Sequence, residues 1–441
     1  MFFGFFFVKN FCFFFPVKPK YHVKSHKSSN FKKYFLFLLF LLKKTVFQNI
    51  IKPSKARLAF FKHPRAVFGP GAGLSNKMEG ISIMELEHTT VNLRVGVGKF
   101  FYGHGCIREL AAETARLGGK PLVIGGPTAV KLILGLCEAE FRAAGVTPLV
   151  RVHTGACSRT WAGRYKEEAL QNGCTLILGV GGGKCLDLAK CAATFAGLDL
   201  ICVPTSVATC VASSSVCIMY HDDGTPDGSV AMSKEVDVVI ADTDVIATAP
   251  KRLLAAGIFD SLAKLPEVVH NTQIESYQDC TLEKYICTVN SRAIYEFLMG
   301  EGSRVYDQGL ASGRFTDVIL TNLLHTSVVS GFSCGVNQLA LAHGLYDFLR
   351  RSFTAQAAHL LHGEIVAVGI LMQLKFNRMA DAYVLGVRRL MAHMQLPTRL
   401  PDLGFEPTPE NLQLLVDYLL PATGLSPADE PRLRAAIAEI C

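Results

Sequence analysis

Between Leu93 and about Pro250 the chain alternates short, nearly continuous apolar runs with longer stretches of helical period. Leu93–Tyr102 reads as extended, Ile107–Leu117 as a helix closed by Gly118 and Gly119, and Pro121–Gly125 as a short strand bounded by glycines. The pattern then predicts a helix over Ala129–Ala144, a strand over Pro148–Val152, a helix over Tyr165–Asn172 and a strand over Thr175–Val180. Leu186–Ala196 reads as a further helix and Leu200–Pro204 as a further strand. Apolar runs of roughly four to six residues, separated by helical stretches of about 10–15, indicate βαβ units and a parallel sheet covered on both faces. Past Pro250 helical patterns dominate as far as Ile440, with breaks expected near Gly302, Gly313, Gly335, Pro397 and Pro421. The expected plan is a dinucleotide-binding α/β domain over residues 93–250 and an all-α domain over residues 251–441. The cleft between two such domains is the default place for a ligand.

Composition changes this picture only at the N-terminus. Half of the 441 residues are hydrophobic and 19% are charged, as in a globular chain. The formal charge of +8 is unevenly spread, because residues 1–77 hold 15 Lys and Arg and no acid. The remaining 30 basic residues face all 37 acidic ones, so the main body offers no basic surface for nucleic acid. Residues 1–92 form an atypical basic, Phe-rich extension outside the fold, with 17 of the 29 phenylalanines lying before Met78. Its longest apolar run, Tyr34–Leu42, is nine residues, well short of the roughly 20 that span a membrane. A start of translation at Met78 or Met84 is the favoured account of this segment, ahead of organelle targeting and of a membrane-surface anchor. The 14 cysteines show no CxxC pair, which fits small hydrophobes in a reducing, cytoplasmic setting.

The most informative stretch is Gly179-Val-Gly-Gly-Gly-Lys-Cys-Leu-Asp-Leu-Ala-Lys190, which follows a predicted strand and opens a predicted helix. Successive glycines let backbone approach a pyrophosphate, and a helix N-terminus offers free N–H groups and a positive dipole end. Lys184 adds a point charge. Asp187 either favours the first helical turn or hydrogen-bonds a ribose or nicotinamide group. A second loop, Pro204-Thr-Ser-Val-Ala-Thr-Cys-Val-Ala-Ser-Ser-Ser-Val216, places small hydroxyl residues at the carboxyl end of the next strand, where cofactors bind.

Three polar residues interrupt the apolar helices of the second half: Asp260 in GIFDSLAK, His343 in LAHG and His362 in HGE. Two imidazoles and a carboxylate make an open Zn²⁺ or Fe²⁺ site. Spacing alone does not select them. His359 competes with His362 from one turn earlier on the same face, and His270 and His325 are spare candidates.

Taken in order, GVGGGKCLDLAK, VPTSVATCVASSS, GIFDSLAK, LAHGL and HGEIVAVG resemble the iron-containing alcohol dehydrogenase superfamily, on its glycerol-dehydrogenase-like branch. The resemblance runs from about Leu93 to near the C-terminus. It implies a dehydroquinate synthase-like fold, a Rossmann-like N-terminal domain followed by a helical one. It also implies that Gly182, Gly183, Lys184, Asp187, Thr205, Thr209, Ser214, Val216 and Tyr220 contact the cofactor. Asp260, His343 and His362 are implied as metal ligands and as the catalytic centre through the metal, which decides for His362 over His359.

Two departures bear on specificity. Glycerol dehydrogenases carry an acid after the first strand that holds the adenosine ribose, where this chain has Gly126 in VIGGPT. Its absence removes repulsion against a 2′-phosphate and favours NADP(H) over NAD. In the Pro204 loop the polyol-contacting Asp is replaced by Cys210, a substrate position. The pattern is nearer to hydroxycarboxylate dehydrogenase A-like members, so hydride transfer between NAD(P)(H) and a small 2-hydroxy acid or 2-oxo acid is expected, with a glycerol, polyol or alcohol dehydrogenase as the alternative. A dehydroquinate-synthase-like lyase would carry Glu where this chain has Asp260, and a non-catalytic relative would not need an intact trio. The expected partners are a small-molecule substrate and further copies of the same chain, with neither nucleic acid nor membrane.

Overall fold

The computed structural model describes residues 93–270, 272, 274–333 and 339–441, with side chains omitted at 333, and also the short antiparallel pair Phe7–Val8 and Phe11–Cys12. The readings of the N-terminal extension, and the break at Gly335, otherwise lie outside the described residues.

Residues Glu87–Cys441 form one unit built on a six-stranded sheet. Its strands are β1 (Lys99–Gly103), β2 (Pro121–Gly125), β3 (Leu149–Val152), β4 (Leu176–Gly181) and β5 (Asp199–Pro204), joined after a separate hairpin of β6 (Val216–Tyr220) and β7 (Pro226–Ala231) by β8 (Val238–Asp242). The order is β1-β8-β5-β4-β2-β3 and every pairing is parallel. β2, β4 and β8 are buried along their whole length, because both faces are covered and both side-chain sets must be apolar. The period of two divides them. Val123, Leu178, Val203 and Ile240 share one cluster with α1 (Glu109–Arg116) and α2 (Pro127–Ala143). Leu122, Ile177, Cys202 and Val239 face the other way, toward α3 (Arg159–Gln171) and α4 (Gly183–Ala196).

The helices that follow β2 and β4 therefore leave the sheet on opposite faces, although β2 and β4 are neighbours. A crevice opens outside the carboxyl ends of strands at such a switch point, and open α/β sheets bind ligands there. Gly126, after β2, and Gly181–Gly183, after β4, both lie at that place. A Cβ on Gly126 would stand 3.9 Å from the Cys185 sulfur, which measures how near the two turns are.

The second half is helical: α5 (Lys251–Leu262), α6 (Lys264–Val268), α7 (Leu282–Gln308), α8 (Leu341–Ser352), α9 (His362–Phe376) and the helices beyond it. α9 is buried on all sides, as the centre of a bundle must be. Three glycines set how closely the helices cross. A Cβ on Gly257 of α5 would come within 1.7 Å of the Val207 carbonyl oxygen, in the loop after β5. One on Gly363 would meet the Ala256 oxygen at 1.9 Å, and one on Gly369 would meet the Ala342 Cα at 2.6 Å. α9 is thereby packed backbone-to-backbone against α5 and α8.

Several local expectations need correction. Gly302 does not break a helix: it is buried inside α7, its missing side chain facing Ile258 and Met394, so packing overrides its weak propensity. The break expected near Pro421 does occur, with Pro421 in the last turn of the helix Pro409–Ala422. The helix expected at Tyr165 begins six residues earlier, where Ser158 caps the Trp161 N–H. Of Leu93–Tyr102, only Lys99 onward is strand, paired along β8. The hairpin and β8 were not anticipated. No helix among the described residues is long and apolar enough to cross a membrane.

Gly369→Ala gains about 1 kcal/mol of helix propensity, but overpacking against the Ala342 backbone costs about 1–3 kcal/mol. The variant is expected to unfold at lower urea than the parent; a higher midpoint would mean that α8 and α9 are not locked at this crossing.

Candidate metal and nucleotide site

Asp260 stands in the last turn of α5, His343 is the third residue of α8 and His362 the first of α9. The helix crossings set by Gly363 and Gly369 bring them together: one ligand atom from each lies within 4.8 Å of the others. His343 Nε2 is 3.3 Å and His362 Nε2 3.2 Å from the same carboxylate oxygen, Asp260 Oδ1. Asp260 is 3% exposed. Burial raises its pKa, but the His362 charge and the hydrogen bonds from both imidazoles outweigh this and hold it well below the usual carboxylate range. For His343 burial opposes protonation, while the Glu267 charge and hydrogen bonds to Asp260 and Glu267 carry its pKa up to about 9. Burial pushes His362 down. Two imidazole nitrogens and a charged carboxylate converging at bonding range of one point are a donor set suited to Zn²⁺ or Fe²⁺.

The competing histidines are engaged elsewhere. His359 is exposed and gives its carbonyl oxygen to Arg252. His270 bonds the Thr423 oxygen and the Gln373 amide, and His325 bonds Asn290. The ring of His362 takes the edge of Tyr346 at 4.2 Å between centroids. The Tyr346 hydroxyl in turn meets that of Tyr220, at the end of β6, at 3.0 Å. Thus one expected cofactor residue, Tyr220, reaches to the edge of the metal trio.

The glycine turn is built for close approach. Gly181 has φ of 135°, which strongly favours glycine, and its oxygen accepts from the Thr205 N–H. Gly182 is the N-cap of α4 and Gly183 its first residue, so the first N–H groups of the helix have no intrahelical acceptor. Lys184 is exposed in that first turn. Gly183, Ser206 and Thr209 line a small hollow beside the turn, and a Cβ on Gly183 would press on the Thr209 hydroxyl at 3.3 Å. A larger hollow, about 280 Å³, has a mostly apolar lining that includes Val207, Pro250, Leu254, Tyr306 and Phe315, and none of the trio lines it.

Three other expected cofactor contacts are already occupied within the chain. Lys190, fully buried, donates to Asp187 Oδ1 at 2.9 Å, Val211 O at 2.9 Å, Ser214 Oγ at 2.9 Å and Val216 O at 2.6 Å. Burial works against the cation, but Asp187 outweighs it and raises the Lys190 pKa. Burial raises Asp187 as well. Lysine and aspartate three residues apart share a helix face, a signal the sequence did offer. The network pins the loop after β5 onto α4. Asn322, in the π-helical turn Leu320–His325, donates to the Val207 oxygen at 3.3 Å from the other side. Cys210, on the same loop, is within the field of Asp260, and burial followed by that charge pushes its thiol up to about 11. At neutral pH position 210 is therefore uncharged.

Residues 98–243 match the family described as iron-containing alcohol dehydrogenase. A glycerol dehydrogenase of Escherichia coli O6:H1 is 30% identical over 328 residues, 73% of this chain and 87% of that protein. Hydroxycarboxylate dehydrogenase A of Escherichia coli K12 is 30% identical over 203 residues, 45% of this chain and 55% of that one. Among solved structures, a probable glycerol dehydrogenase from Sinorhizobium meliloti 1021 superposes with a TM-score of 0.65 at 25% identity, covering 78% of this chain and 98% of that chain.

Replacing a buried charge's only counter-charge costs about 3–5 kcal/mol, so Lys190→Met, which strands Asp187, is expected to lower stability by about that much in chemical denaturation. A loss below roughly 1 kcal/mol, the size of an exposed pair, would mean that the cation is not the clamp described.

Proposed function

Because this chain belongs to the iron-containing alcohol dehydrogenase family, on its glycerol-dehydrogenase-like branch, we propose that Asp260, His343 and His362 hold the divalent metal of a polyol dehydrogenase. The chain is an oxidoreductase acting on CH–OH donors with NAD(P) and a divalent metal. The observation that carries the metal assignment is the meeting of three ligand atoms, from three helices, within 4.8 Å.

A metal held there supplies Lewis acidity at the substrate oxygen, and the nicotinamide supplies the hydride acceptor. The chain's own parts bind and orient. Gly182 and Gly183 admit the pyrophosphate to the N-terminus of α4, with Lys184 as a nearby charge. Thr205 bonds the Gly181 oxygen of that turn, Thr209 faces Gly183 and Tyr220 meets Tyr346, while Asp187, Ser214 and Val216 act through Lys190 by fixing the loop that carries Thr209 and Cys210. Tyr220 and Tyr346 close the side of the site next to His362.

For the substrate, the longer likenesses favour the polyol over the 2-hydroxy acid: the glycerol dehydrogenase match spans 87% of that relative, the hydroxycarboxylate one 55%. Position 210 keeps the acid as a second reading, since a neutral thiol does not repel a carboxylate. Purified protein reconstituted with Zn²⁺ or Fe²⁺ should reduce NAD(P)⁺ with glycerol or 1,2-propanediol faster than with 2-hydroxybutyrate. Turnover of the hydroxy acid alone would reverse the substrate assignment, and turnover with none of these CH–OH donors would remove it. Cys210→Asp is expected to lower kcat/KM for 2-hydroxybutyrate relative to glycerol by about tenfold, equivalent to roughly 1.4 kcal/mol of like-charge repulsion.

The nucleotide choice turns on Gly126. Its φ of −70° suits any residue, and an added Cβ would meet only the Cys185 sulfur at 3.9 Å. We propose NADP(H) as the preferred cofactor. Gly126→Asp should shift the ratio of kcat/KM values toward NAD⁺ by about tenfold; an unchanged ratio would place the 2′-position of the ribose elsewhere.

A further inference from the structure

We infer that Glu267 is the positioning residue that fixes the tautomer and aim of His343 at the metal. This rests on the reading of Asp260, His343 and His362 as a metal site. Glu267 lies on α6, a five-residue helix following the one that carries Asp260. Its carboxylate holds one residue at two points: Oε1 accepts the His343 backbone N–H at 2.9 Å and Oε2 accepts from the His343 ring Nδ1 at 2.7 Å. A carboxylate only accepts, so one ring proton is committed to Nδ1, and Nε2, which faces the point shared with Asp260 and His362, is the nitrogen left to give its lone pair to a metal in place of its proton. The backbone bond does a second job, since His343 is in the first turn of α8, where N–H groups lack intrahelical acceptors. The Leu341 N–H beside it is taken by Gln373 Oε1 at 2.7 Å. The start of α8 is thus anchored at both ends of its first turn, and the ring it presents has little freedom to rotate. A carboxylate behind a ligating imidazole also raises the basicity of the ligand nitrogen.

The rival role is plain helix capping. Glu267→Gln separates the two, because it keeps the volume and one accepting oxygen but replaces the other with an amide that donates. If the amide faces the ring, His343 must shift its proton to Nε2, straight into the metal point. The experiment is Zn²⁺ competition against a chelator on the chelator-stripped full chain, with parent, Glu267→Gln and Glu267→Asp compared. NAD(P)H binding and the melt of each metal-free protein are followed in parallel. The expected result is a loss of Zn²⁺ affinity of about ten- to hundredfold in Glu267→Gln. Glu267→Asp, which keeps the charge, should lose less, and nucleotide affinity should be unchanged in both. Equal losses in the two variants, an affinity for Glu267→Gln within about twofold of the parent, or a Glu267→Gln protein with no cooperative melt would each overturn the inference. A parent that binds no Zn²⁺ would instead overturn the metal site itself, and the inference with it.

Discussion

A carboxylate withdrawn from water must be matched where it lies, and Asp260 is matched by two imidazoles that approach a single one of its oxygens. That requirement sets the geometry of the helical half. The three residues are far apart in sequence and on three different helices, so the match exists only if α5, α8 and α9 cross at nearly backbone contact. Gly363 against Ala256 and Gly369 against Ala342 permit those crossings. A side chain at either place would overlap the facing backbone and push the helices apart, lengthening the contacts between the carboxylate and the imidazoles.

The same constraint ties Asp260, His343 and His362 to the crevice beside the glycine turn. Gly257, one turn before Asp260, lets α5 press on the Val207 carbonyl, and Asn322 bonds that same oxygen. Val207 belongs to the loop that leaves β5 beside the glycine turn, and Lys190 pins the later part of this loop to α4. The loop is therefore held from the sheet side by a buried cation and from the helical side by a glycine contact. Tyr220 and Tyr346 add a second bridge, from the hairpin to the ring of His362. A displacement of either half would be felt at the other through this backbone contact and these packed, hydrogen-bonded side chains.

Much of the α/β half was legible because two signals agreed: a run of apolar residues and glycine punctuation at its ends. The pattern predicts Pro121–Gly125 to the residue, and the strands ending at Gly181 and Pro204 to within one. The first strand of the hairpin, Val216–Tyr220, is a continuous apolar run that the pattern does offer, whereas Pro226–Ala231 has neither a run nor a clean alternation. β8 is offered by Val238–Ala241, which is as apolar as the neighbouring strands. In the helical half glycine misled: it signals a break when only propensity is considered, whereas Gly302 in α7 fills a position where a neighbouring helix passes close. The meeting of Asp260, His343 and His362 is suggested by the ordered motifs, not by spacing, and the fold adds that His359 faces solvent while His362 faces Asp260. Glu267 left no trace, because nothing in the sequence relates a carboxylate on α6 to the first turn of α8.

Charge around the centre bears on what can bind there. Asp260 and Glu267 together carry two negative charges, which a divalent ion balances, and the field of Lys264 reaches both carboxylates. The filled site is then neutral or slightly positive before substrate arrives. A carboxylate at position 210 would remove that positive margin and repel an anionic substrate. With the protonated thiol of Cys210 it does not, and substrate orientation is left to hydrogen bonding and shape. The polyol proposed as substrate, whose adjacent hydroxyls can each accept and donate hydrogen bonds, would need no charged anchor. A hydroxy acid is tolerated by the local field but would also need a cation or a pair of N–H donors aimed at its carboxylate. The difference between the two substrates is thus a difference in what must be added to the site, and the polyol requires less.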